Sequence, residues 1–131
     1  AIGAKLGRPD RQVIAFCGDG GYQMTSFELA TAVEHGIDVT IVVVNDGSLS
    51  AIRGSQAKTF DGRVIDTDMK VPRLADTATA FGARGVRIED PDKFETVFPD
   101  VVGLEGPTVI EVVMTAQRDE IIQRVPWLYP D

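Results

Sequence analysis

Gln12-Val13-Ile14-Ala15-Phe16-Cys17, running into Gly18-Asp19-Gly20-Gly21, is the stretch that decides the fold. A short apolar run between Arg-Pro-Asp-Arg and a glycine cluster reads as a fully buried strand that ends in a sharp turn. Residues Thr25 to His35 carry Phe27, Leu29, Ala30, Ala32 and Val33 among good helix formers. Thr25 or Ser26 suits the N-cap, Glu28 the first turn and Gly36 the C′ position, so the segment predicts a helix. Val39 to Val44 follows as a second β-branched strand, interrupted only by Thr40. A strand, a crossover helix and a strand in this length form a right-handed parallel unit.

Outward from this unit the pattern lapses and then returns. Asn45 to about Lys70, rich in glycine, serine and aspartate, predicts a long functional loop with a short helix near Ser50 to Gln56. Leu74, Ala75, Ala78 and Phe81 mark one helical face ended by Gly82. Arg84 to Ile88 reads as a strand. Phe94, Val97, Phe98, Val101 and Val102 read as an amphipathic helix, and Pro107 to Val113 as a last buried strand. The tail, Ala116 to Asp131, is polar before Val125, Trp127, Leu128 and Tyr129, where the aromatics suit packing against this or another subunit. The expected fold is therefore α/β, a parallel sheet with helices on both faces, forming one domain over residues 1–131.

In such sheets ligands bind beyond the carboxyl ends of the strands. The first two strands end at Gly18-Asp19-Gly20-Gly21 and Asn45-Asp46-Gly47-Ser48, so both loops are expected at one edge. Glycines let backbone N–H groups approach an anion closely. An aspartate amid such groups makes sense where a cation lies between it and the ligand. Asp19, Asp46, loop carbonyls and a phosphate-bearing ligand together describe a Mg²⁺ site built of oxygens. A dinucleotide fingerprint needs a glycine where Gln23 stands, and a phosphate loop needs a Gly-Lys-Ser/Thr ending that is missing. The plain alternative is a glycine turn that merely joins strand to helix. A phosphohydrolase would need a second metal cluster or a positioned nucleophile, which no further His-rich or Asp-rich set supplies.

The 131 residues carry a net charge of −7, which opposes binding to nucleic acid or an anionic membrane surface. No apolar run approaches the roughly 20 residues of a membrane helix. The single cysteine, Cys17, forms no internal disulfide, which fits a reducing cytoplasm, and its place in a strand suggests a small hydrophobe. His35 suits the end of a helix dipole, and Glu28 and Glu34 read as ordinary helix residues. Tyr22 and Met24 fit either a ligand pocket or the core. Arg53 and Gln56 fit either a substrate carboxylate or a solvated surface.

Gly18-Asp19-Gly20, a helix with Glu28-Leu29-Ala30-Thr31-Ala32, a β-branched run and then Asn45-Asp46 resembles the cofactor motif of thiamine-diphosphate-dependent enzymes, of the acetolactate synthase and 2-oxo-acid decarboxylase type. The likeness extends upstream through Ala1-Ile2-Gly3-Ala4-Lys5-Leu6. Downstream it takes in Ala80-Phe81-Gly82-Ala83, Glu89-Asp90-Pro91 and Gly106-Pro107-Thr108-Val109-Ile110-Glu111-Val112. The resemblance implies thiamine diphosphate and Mg²⁺ as cofactors and a 2-oxo acid as substrate. It implies Asp19, Asp46 and the Ser48 carbonyl as metal ligands. It further implies Gly18, Gly20, Gly21, Tyr22, Ser48 and Leu49 around the cofactor. The family usually has Asn where Asp46 stands; the change keeps an oxygen donor and adds a charge.

Ala51, Ile52 and Arg53 would face the reacting carbon. Yeast-type pyruvate decarboxylases carry an acid/base glutamate where Ile52 stands, so the apolar residue is closer to acetolactate synthases or aryl-2-oxo-acid decarboxylases. The cofactor-activating glutamate of the family lies on a separate pyrimidine-binding domain, usually a partner subunit's. A homo- or hetero-oligomer is therefore implied, in which this chain is a diphosphate-binding part that lacks the first strand of its domain and is inactive alone. A reading from another class is a Mg²⁺- and diphosphate-binding regulatory module without catalysis.

Overall fold

The computed structural model describes residues 1–114, so the tail carrying Trp127 and Tyr129 lies outside the described residues. Four parallel strands, β1 (Ile14–Gly18), β2 (Thr40–Asn45), β3 (Arg84–Ile88) and β4 (Thr108–Val113), form one sheet in the order β1-β2-β4-β3. Every pairing is parallel, with Gly18 opposite Val44, and Asn45 opposite Val113. The strand reading of 84–88 coincides with the element, and the others shift by one or two residues.

Among the described residues there are six α-helices, α1 (Ile2–Gly7), α2 (Asp19–Thr25), α3 (Glu28–Glu34), α4 (Ser50–Thr59), α5 (Leu74–Ala80) and α6 (Phe94–Val101), with a 3-10 turn at Pro91–Lys93 before the last. Strand residues alternate between faces. Cys17, Ile41, Val43 and Val109 meet Tyr22, Leu29, Leu74 and Ala78 from α2, α3 and α5. The opposite face, Val42, Ile88, Ile110 and Val112, meets Phe94, Val97, Phe98 and Val101 from α6. Helices thus cover both faces of the sheet. The second face is covered unevenly, for Phe16 on β1 remains 67% exposed. Among the described residues no helix is long and apolar enough to cross a membrane.

The expected helix over 25–35 is corrected by the structure: helix begins at Asp19, directly on the strand, and is split in two. The split falls where hydroxyl side chains reach back to the preceding turn, Thr25 Oγ1 to the Gly21 carbonyl and Ser26 Oγ to the Gln23 carbonyl, both at 3.4 Å. There the backbone tightens into i-to-i+3 bonds, Leu29 N–H to Ser26 and Ala30 N–H to Phe27. The expected loop after Asn45 holds a helix longer than foreseen, α4, and then a strap. Residues 67–69 of that strap lie antiparallel to the end of the β2 loop, with Ser48 opposite Asp68.

Candidate functional site

The carboxyl ends of β1 and β2 do converge. Gly18, Asp19, Gly20, Gly21, Val44, Asp46, Ser48, Leu49, Ser50, Ala51 and Ile52 line one open cavity of about 310 Å³. Each side of this groove follows from the local sequence. Gly18 is extended (φ −78°, ψ 164°), and Asp19 opens α2 immediately after it. Across from it, Gly47 takes φ +69°, a left-handed turn in which a side chain is strained. A Cβ on Gly20 would stand 2.6 Å from Leu49 Cδ2, so a side chain there would push the Leu49 tip aside.

Asp19 is 2% exposed. Its Oδ1 accepts the Gly20 N–H at 2.7 Å and its Oδ2 the Gly47 N–H at 2.8 Å. Burial pushes its carboxyl above the usual range, the N–H bonds oppose this, and the nearby Asp46 charge adds to the rise. Asp46 Oδ1 accepts the Ser48 N–H at 3.0 Å, and its Oδ2 accepts a short bond from Ser50 Oγ. The strap holds the loop from behind: the Leu49 N–H and the Ser48 hydroxyl both donate to the Thr67 carbonyl, and the Met69 N–H to Gly47. Met69 also packs its methyl group 3.4 Å from the position of a Gly20 Cβ.

Two of the expected residues stand elsewhere. Tyr22, one turn along α2 from Asp19, is buried in the core with Leu29 and Val43, and lines a different cavity of about 560 Å³ beneath α1. Its hydroxyl has no hydrogen-bond partner, and burial pushes its pKa up to about 12. Arg53 turns away to the strap, donating to Thr67 Oγ1 at 3.3 Å and pairing with Asp68 at 3.2 Å. Met24 is exposed. Met69 and Thr67 were missed from the sequence, because their link to the site is backbone pairing by a segment without periodicity.

Two carboxylates therefore share one groove with no lysine or arginine among its lining residues. Hard oxygen donors of this kind fit Mg²⁺. Among the described residues no group of three or more His, Cys, Asp or Glu gathers to hold an ion alone. A cation here would have to complete its shell with backbone, ligand or water oxygens. First-turn N–H groups of α2 have no backbone acceptor a turn earlier; that of Gly20 is taken up by Asp19 Oδ1, and that of Gly21 suits an anion. Residues 1–112 match the family described as "Thiamine pyrophosphate enzyme, C-terminal TPP binding domain".

The chain belongs to that family.

Thiamine pyrophosphate, the same compound as thiamine diphosphate, is thus the cofactor its domain type binds. Among relatives of this thiamine-pyrophosphate-enzyme domain is an acetolactate synthase large subunit of Lactococcus lactis, 33% identical over 129 residues. The match takes in 96% of this chain and 22% of that protein. A sulfoacetaldehyde acetyltransferase of Alcaligenes xylosoxydans is 35% identical over 130 residues, 94% of this chain and 21% of that one. A solved thiamine-diphosphate-dependent 4-hydroxybenzoylformate decarboxylase of Rhodococcus jostii superposes with a TM-score of 0.79. It is 33% identical and covers 86% of this chain and 21% of its own. The chain spans about a fifth of the length of these relatives.

Proposed function

We propose that this domain binds the diphosphate end of thiamine diphosphate through Mg²⁺, as the cofactor-binding part of a cytoplasmic enzyme acting on 2-oxo acids. The observation that carries the reading is the meeting of Asp19 and Asp46 in a glycine-walled groove without a basic side chain. Asp19 and Asp46 would offer side-chain oxygens and Ser48 its carbonyl, while the Gly21 N–H, and that of Gly20 once released by Asp19 Oδ1, would bond the phosphate oxygens. Bound there, thiamine diphosphate supplies the electron sink for decarboxylating a 2-oxo acid. Acetolactate synthases among the relatives favour joining the product to a second carbonyl compound. Exposed apolar residues, Val44 and Ile52 on the groove and Phe16 on the neighbouring strand β1, suit cover by a pyrimidine-binding domain or subunit of the same enzyme.

The deciding experiment is calorimetry of the protein carrying this chain, titrated with thiamine diphosphate and with inorganic pyrophosphate, each with and without Mg²⁺. Tight binding of thiamine diphosphate only with Mg²⁺, and weaker binding of pyrophosphate, is expected. Equal binding of the two would favour a diphosphate-sensing regulatory module instead.

Ile52 tests the substrate side. It is 51% exposed on the first turn of α4, at the rim of the groove. Ile52→Leu is expected to keep turnover while changing the preference among 2-oxo acids. Ile52→Asp places a third carboxylate beside Asp46 and is expected to lower kcat/KM about tenfold or more. Steady-state kinetics on two 2-oxo acids of different size checks this, and equal activity of the two variants would put the side chain away from the reacting carbon.

A further inference from the structure

Glu111 lies in the middle of β4 and is wholly buried, 0% exposed. A carboxylate in that position is costly unless every oxygen is matched, and apolar replacements of buried ion pairs are often neutral or stabilising. Its partners are unusually directed. Oε1 accepts from Arg87 Nη1 at 2.5 Å and from Asn45 Nδ2 at 2.7 Å, and Oε2 accepts the Ala75 N–H at 3.0 Å. Arg87 sits directly opposite on β3, 20% exposed, and also pairs with Glu89 at 3.0 Å.

Asn45 carries this network to the loop beside the groove. With its amide nitrogen turned to the carboxylate, its Oδ1 faces the Gly47 N–H at 3.2 Å; the flipped amide would set oxygen against oxygen at Glu111. The same Gly47 N–H bonds Asp19 Oδ2 at 2.8 Å. A continuous path of bonds therefore runs from Arg87 through Glu111, Asn45 and Gly47 to Asp19, entering the turn that presents Asp46 and Ser48.

We infer that Glu111 and Arg87 are positioning residues for the cation loop. Resting on the metal-site reading above, the inference assigns them a role in affinity for Mg²⁺ rather than in folding alone. Glu111 fixes the amide of Asn45, and Asn45 fixes the Gly47 turn; Arg87, held by Glu89 through Nε, bonds through Nη1 the same Glu111 oxygen that Asn45 bonds, and so sets where that carboxylate lies. Without them the turn is free to settle in other geometries, and oxygen donors a few tenths of an ångström out of place are poor ligands for Mg²⁺, which demands near-octahedral geometry. Neither residue touches the cavity that holds Asp19 and Asp46.

The test uses the whole protein and two readouts, the Mg²⁺ concentration needed for half-maximal thiamine diphosphate binding by calorimetry, and the melting temperature without ligands. Glu111→Gln, Arg87→Lys and Asn45→Ala are each expected to raise that Mg²⁺ concentration about tenfold or more, as loss of a group supporting a metal ligand does. Glu111→Gln combined with Asn45→Ala should be no worse than the more affected single variant, since both act on one path. Arg87→Lys keeps the charge but loses the planar guanidinium's grip on both Glu89 and Glu111, so it carries the test should Glu111→Gln not fold. Variants that melt earlier yet keep the wild-type Mg²⁺ dependence, or a double variant with additive effects, would overturn the inference. A wild-type protein that binds thiamine diphosphate without regard to Mg²⁺ would instead overturn the metal-site reading itself.

Discussion

Replacing Asp19 with alanine is expected to abolish Mg²⁺-dependent binding of thiamine diphosphate, with a loss of more than about 100-fold in affinity, beyond what loss of a supporting group costs. Asp19 is the one side chain at the end of β1 that brings a carboxylate into the groove, and its burial leaves no neighbour free to take its place. The fold itself should tolerate the change. A buried carboxyl held above its usual range is removed, at the cost of two N–H bonds from Gly20 and Gly47 worth about 1 kcal/mol each. Asp46→Asn should be far milder, within about tenfold, because the amide keeps an oxygen donor and still accepts the Ser48 N–H. Calorimetric titration of both variants at saturating Mg²⁺ gives the comparison. If each bound the cofactor as the wild type does, these carboxylates would not be the cation's ligands.

The meeting of the two loops was legible in outline because they lie between strongly patterned strands. Both runs are short and apolar between turn residues, so they stand out even though Phe16 leaves one face of β1 exposed, and the ends of adjacent parallel strands necessarily share an edge. What escaped was of two kinds. Gly18-Asp19-Gly20-Gly21 has poor helix propensity and reads as a turn, yet packing of Tyr22 and Leu29 against Val43 draws helix up to Asp19. The same packing takes Tyr22 into the core, one turn from the aspartate it was expected to accompany. The strap is the second kind. Its hold on the Ser48 loop is through main-chain atoms of Thr67 and Met69, which side-chain patterns do not report, and Arg53 follows it by pairing with Asp68. Glu111 had only its place in an apolar strand to mark it, and its partners come from three separate elements.

Gly85→Ala should be the most damaging single methyl group that can be added to this sheet. Gly85 lies in β3 against the start of α5, and a Cβ there would stand 1.9 Å from the Ala75 carbonyl oxygen and 2.7 Å from both its carbon and Thr79 Oγ1. The obstacle is backbone, so no rotamer change relieves it. The Thr79 hydroxyl is also tied to the Ala75 carbonyl, at 3.1 Å. Helix α5 would have to lift from the sheet, and it anchors Leu74, Ala75 and Ala78, all buried. Lifting it also draws the Ala75 N–H away from Glu111, leaving that carboxylate short of a donor in the interior. Overpacking of this sort costs about 3 kcal/mol, which for a domain of this size lowers the melting temperature by about 10 °C or more. Gly3→Ala is the matched control: it lies in exposed α1 with nothing within 4 Å of an added Cβ, and helix propensity makes the change neutral or stabilising. Thermal unfolding of the two variants beside the wild type decides the matter. A Gly85→Ala protein melting within a few degrees of the control would mean that α5 does not rest on β3 as closely as this geometry requires, and that the route from Ala75 to Glu111 and the cation loop is looser than drawn.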